Sequence, residues 1–98
     1  MFEELGPAVS DPYEYHLADR DLWLKLLADA RSENFELFAI LQYLRGAGTA
    51  LVKDTKFGYR LQPLIGNNAW SSQAEYDREK QYLRPYMGTL MKLLRCLK

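Results

Sequence analysis

Apolar residues return every third or fourth position through the first half of the chain, every second position over a short central stretch, and every third or fourth again near the end. In the first stretch Leu17, Leu24 and Leu27 share one helical face, which Trp23, Leu26 and Ala30 widen. Asp11 can accept from the unpaired N–H groups of a first turn, Pro12 suits the first helical position, and Glu14 stands three residues after Asp11 as in a capping box. A helix is predicted over about 12–30. Five of the six residues from Leu22 to Leu27 are apolar, too many for one stripe. This helix is therefore either buried on two sides or lies in a dimer interface formed by Leu22, Trp23 and Leu26. A homodimer is the expectation, since two-fold pairing is the commonest way to cover such a face. Ser32 is predicted to cap a second helix from Glu33, with Phe35, Phe38, Leu41 and Leu44 along one side and Leu37 and Ile40 beside them. Gly46 and Gly48 favour a stop, because glycine takes the left-handed cap conformation and costs about 1 kcal/mol inside a helix. The alternative is one long helix to Val52.

After the glycines the period changes to two. Phe57, Tyr59 and Leu61 alternate with Lys56, Gly58, Arg60 and Gln62, which predicts a strand with one buried face. Residues 49–53 supply its partner, Asp54 and Thr55 the turn, and Pro63 the end. Lys56, Arg60 and Gln62, joined by Lys53, are expected on the exposed face. A two-stranded hairpin is marginal alone, so helices must cover its aromatic side. Residues 63–71 form a loop in which Trp70 plugs the core. Ser72 and Glu75 make a capping box, and a third helix starts near Gln73. Pro85 either kinks it or opens a separate fourth helix over 86–97, whose apolar stripe is Met87, Leu90, Met91, Leu94 and Leu97. The fold class is mainly α with a small β-hairpin, in the order helix, helix, hairpin, helix, helix. Residues 1–10 read as a flexible arm and 11–98 as one domain.

The 98 residues carry 13 basic and 13 acidic side chains, yet the zero net charge hides a split. Residues 1–50 hold four basic against nine acidic groups, a net of −5, and residues 51–98 hold nine against four, a net of +5. Either an acidic half folds against a basic half, or the molecule is dipolar and offers a basic face to an acidic partner or to its own copies. A nucleic-acid binder usually shows a basic excess over the whole domain. The six cations that such a role would use, Arg78, Lys80, Arg84, Lys92, Arg95 and Lys98, are interspersed with Asp77 and Glu79. No window approaches a membrane span, and the start lacks a basic segment followed by an apolar one. A single cysteine, Cys96, makes no internal disulfide, which points to a reducing, cytoplasmic location.

Enzymatic chemistry finds little support. Cys96 sits two residues from the end with no neighbouring histidine, and no serine lies in a nucleophile-elbow motif. Glu14, the lone His16 and Asp19 lack the second histidine or cysteine expected of a metal site. Gly46-Ala47-Gly48 follows a helix and is no dinucleotide loop. Neither a metal nor a cofactor is expected.

Three local stretches carry a resemblance. A leucine-rich helix ends in Leu44-Arg45-Gly46-Ala47-Gly48, a second strand reads Gly58-Tyr59-Arg60-Leu61 and closes at Pro63, and a late helix runs Leu83-Arg84-Pro85-Tyr86 to Arg95. Over about 33–97 the chain resembles the αββαα N-terminal docking domains of the TubC type, found on subunits of hybrid peptide/polyketide synthases. That resemblance implies a non-enzymatic module that dimerises and grips a short acidic segment along its hairpin. It makes Lys56, Arg60 and Gln62 the contacts. The extra helix over 12–30, the long 63–71 loop and the lack of a following synthase module depart from the family pattern. The expected function is thus a protein–protein docking module, with an accessory nucleic-acid-binding protein as the alternative. A basic strip on the hairpin has two roles open to it: keeping an open strand from recruiting copies of itself, or recognising an acidic peptide that adds as a third strand.

Overall fold

A single residue separates the first two helices of the computed structural model, which describes residues 12–54, 58–66 and 69–97, with the side chains of 12–19 and Asp54 outside that description. Helix α1 spans Pro12–Glu33 and α2 spans Phe35–Gly48. Asn34 has extended backbone, and its side chain accepts the N–H groups of Glu36 (2.9 Å) and Leu37 (3.3 Å). The cap is therefore Asn34, not Ser32. The Asn34 N–H still donates to Ala30 O at 2.8 Å, so the α1 ladder runs through Ser32 and Glu33 and breaks where the asparagine turns out of helical geometry. The Asp11 cap and the 1–10 arm lie outside the described residues.

The α2 helix stops at the glycines. Gly48 has φ +110, and a Cβ there would come within 2.8 Å of the Ala69 Cβ, so the turn into the sheet requires glycine. Strand β1 (Thr49–Asp54) follows at once and pairs antiparallel with β2 (Gly58–Pro63). Tyr59 and Leu61 pack against the core as the alternation requires, whereas Lys56 and Phe57 lie outside the described residues. Helix α3 spans Gln73–Lys80, a 3-10 segment Gln81–Tyr86, and α4 Met87–Cys96. Of the two alternatives the separate fourth helix is the one observed, at Met87–Cys96, with Pro85 just before it. The proline sits in a tightened connection with i→i+3 bonding. Ser72 caps α3 by accepting the Glu75 N–H at 3.2 Å, while the Glu75 carboxylate accepts from Ser71 N (2.8 Å) and Ser71 Oγ (2.7 Å).

The core joins α1, α2, β1, the Trp70 loop, α3 and α4. Trp23, Leu26, Leu37, Leu41, Leu44 and Leu90 are among its fully enclosed members. Two stripes are rotated from their expected centres. On α2 the buried face is Leu37, Leu41 and Leu44, leaving Phe35 64% exposed; on α4 it is Leu90, Leu93 and Leu94, with Met87 exposed. The surplus apolar surface of α1 is absorbed inside the chain, because α1 packs against α2, α4 and β1 together. Trp23 and Leu26 are 0% exposed and Leu22 is half-buried against the same core. Of the residues expected in a dimer interface, Trp23 and Leu26 are thus covered within the chain itself. No helix among the described residues is long and apolar enough to cross a membrane.

Candidate functional site: the open edge of the hairpin

The register fixes which backbone groups the hairpin uses internally. Thr49 stands opposite Pro63, and the Leu64 N–H donates to Gly48 O at 2.8 Å, flanking that pair. In an antiparallel ladder, such a flanking bond marks Thr49 and Pro63 as a pair that exchanges no bonds, and the alternation then continues along the strands. Ala50 with Gln62, Val52 with Arg60 and Asp54 with Gly58 bond each other. The N–H and C=O groups of Thr49, Leu51 and Lys53 point away from β2, and those of Tyr59 and Leu61 point away from β1.

The two outward edges differ. On β1, the Trp23 indole N–H donates to Thr49 O at 3.1 Å, a buried bond across 26 residues of chain. The Trp70 indole N–H donates to the Thr49 hydroxyl at 3.2 Å. Leu51 also has a partner. Two tryptophans, one of them on α1, thus tie down the Thr49 end of this edge. On β2, no third strand pairs among the described residues, and no described residue outside the hairpin bonds the Tyr59 or Leu61 backbone.

Beside this open edge, between β2 and α4, lies a hollow of about 280 Å³. Its walls include Leu61, Leu83, Leu90 and Leu94, with Arg60 and Lys80 also lining it. Tyr76 forms part of it as well. Its hydroxyl is buried with no hydrogen-bond partner among the described residues, and burial pushes its pKa up to about 12. The Lys80 ammonium lies 5.3 Å from the Tyr76 ring centroid, so a cation tops the aromatic wall. Gly58 keeps β2 against α4: a Cβ there would meet Leu94 O at 2.6 Å, and its φ is +90. No protein-family model, no curated protein and no solved structure matches the chain.

The structure divides the four expected contact residues. Arg60 and Gln62 share one face and are hydrogen-bonded to each other. Lys53 is two residues from Leu51 and directly opposite Tyr59, so it belongs to the other face, the one carrying Leu51, Tyr59 and Leu61. Its ammonium lies 5.2 Å from the Tyr59 ring centroid. Strand parity thus removes Lys53 from the Arg60–Gln62 strip, and Lys56 lies outside the described residues. Of the cations expected of a nucleic-acid surface, Arg78, Lys80, Arg84, Lys92 and Arg95 are spread over α3, the 3-10 segment and α4, and Lys98 lies outside the described residues. Of these, Lys92 approaches Glu33 of α1 at 3.7 Å. Cys96 is exposed and free, and among the described residues no group of three potential metal ligands comes together.

Sequence reasoning missed Thr49 and Tyr76. Thr49 read as one β-branched strand residue among several, and its role depends on two tryptophans 26 residues before and 21 residues after it. Tyr76 stands among charges, and a single aromatic position on a polar helix is the one signal that it turns inward.

Proposed function

We propose that the protein is a non-enzymatic docking module that takes up an extended, acidic peptide along the outer edge of β2. The observation that carries this reading is the asymmetry of the hairpin: one edge is tied down by tryptophans, while the other presents the Tyr59 and Leu61 backbone groups beside an apolar hollow. A third strand there gains main-chain hydrogen bonds, and its alternate side chains meet the hollow. Arg60 and Lys80 favour carboxylates on the guest and supply its charge selectivity. The resemblance to TubC-type docking domains supports the same class of function.

The test is affinity capture from the native cell, comparing the wild-type chain with the double variant Lys56→Glu, Arg60→Glu. The expected result is an unchanged melting temperature with retention of the partner reduced tenfold or more, about 1.4 kcal/mol or above. Unaltered retention would leave the hairpin as scaffold alone. Retention on DNA that falls steeply with salt would favour the nucleic-acid alternative.

A further inference from the structure

A second groove, of opposite character, shares no lining residue with the hollow beside β2. It runs between α2 and the segment from the end of α3 to Tyr86, as two adjoining hollows of about 480 and 350 Å³ that share Ala39, Ile40 and Tyr82. Its floor is apolar and its rim is aromatic: Tyr43 is 53% exposed and Tyr82 66%. Each hollow has one carboxylate, Glu36 in the larger and Glu79 in the smaller. Glu36 accepts from the Tyr86 hydroxyl. Partial burial and the Glu79 and Glu75 carboxylates hold the Tyr43 hydroxyl above its usual pKa, and the bond to Glu36 raises that of Tyr86. Neither Glu36 nor Glu79 has an ion-pair partner among the described residues.

Carboxylates without cations, set among exposed tyrosine rings over an apolar floor, match the chemistry of arginine. A guanidinium stacks on aromatic faces and forks to carboxylates, and a carboxylate that already accepts one hydroxyl keeps further lone pairs. Seven residues of α2 separate Glu36 from Tyr43, the neighbour of Glu79, about 10 Å along the helix. A chain in the polyproline II conformation rises about 9 Å over three residues and returns every third side chain to the same face. We infer that this groove docks a basic segment of a protein partner, with two arginines spaced three residues apart, one toward Glu36 and one toward Glu79. This surface is separate from the β2 edge, and the inference stands whether or not that edge binds an acidic peptide.

The test titrates the full ¹⁵N-labelled chain with a synthetic heptapeptide carrying arginines at its second and fifth positions. A second titration uses the same peptide with citrulline, which keeps the shape and loses the charge. The expected result is saturable shifts at the amides of Ala39, Ile40, Tyr43 and Tyr82, with affinity at least tenfold weaker for the citrulline peptide. Glu36→Gln with Glu79→Gln should reduce arginine-peptide affinity to a similar degree while amide positions outside the groove stay in place. Equal affinity for the two peptides, shifts confined to the hairpin, or no saturable binding would each overturn the inference. The comparison of the two peptides on the wild-type chain decides the matter even if the double variant does not fold.

Discussion

The two edges of one hairpin receive opposite treatment. Along β1, Thr49 is held twice, its carbonyl by Trp23 and its hydroxyl by Trp70. Along β2, the equivalent outward backbone groups of Tyr59 and Leu61 bond no described residue outside the hairpin, and the strand is braced by its core-facing side chains and by Gly58 against the last turn of α4. A small sheet with two open edges invites pairing with other chains; one with none cannot recruit a strand. Buried indoles hold Thr49 on one edge, and the other leaves its outward groups without a described partner beside the hollow.

The largest effect expected is on the held edge. Trp23→Ala removes a fully buried side chain together with the donor to Thr49 O, and denaturant unfolding should show a loss of about 3–5 kcal/mol. A loss under 1 kcal/mol would mean that the tryptophan does not hold the edge. Next comes Gly58→Ala, which combines a positive φ with a clash against Leu94 O. It should cost about 1–3 kcal/mol and disturb the α4 end of the hollow, visible as amide shifts at Leu94 and Arg95.

How much of this contrast could be read from the residues follows from the range of the interactions involved. The hairpin, its bounding glycine and proline, and the inward side of Tyr59 and Leu61 depend on alternation over a few residues, and all are legible. The Ser72 cap is legible for the same reason. The hold on Thr49 is not, because Trp23, Thr49 and Trp70 are brought together only by packing across the whole chain. The five apolar residues within Leu22 to Leu27 left two outcomes open, and only the positions of α2, α4 and β1 select burial within the chain. Lys53 was misplaced for a simpler reason: its face follows from the parity it shares with Leu51, which local charge obscures.

A smaller effect is expected at Tyr76. Its hydroxyl is buried without a described partner, so Tyr76→Phe should leave stability unchanged or raise it by about 1 kcal/mol. Because burial lifts the Tyr76 pKa above its unfolded value near 10, the wild-type chain keeps this contribution below about pH 10 and loses it as pH rises toward about 12. The phenylalanine variant should unfold less readily over that alkaline range, and identical alkaline unfolding curves would contradict the burial. Smallest is Glu75, whose carboxyl the Ser71 hydroxyl and N–H hold below its ordinary value. Carboxyl NMR titration should find it low, and Ser71→Ala should return it toward normal. Since its pKa is depressed, its contribution is present above the unfolded value and fades as pH falls through the folded one.

Amide hydrogen exchange tests the asymmetry of the hairpin most directly, because adjacent residues of β2 serve as each other's controls. In the free protein Arg60 and Gln62, whose N–H groups enter the ladder, should exchange slowly, while Tyr59 and Leu61, whose N–H groups face outward, should exchange markedly faster. On β1 the held edge should slow Leu51 relative to Tyr59. Protection of Tyr59 and Leu61 equal to that of Arg60 and Gln62 would show that the β2 edge is already occupied and would contradict the account.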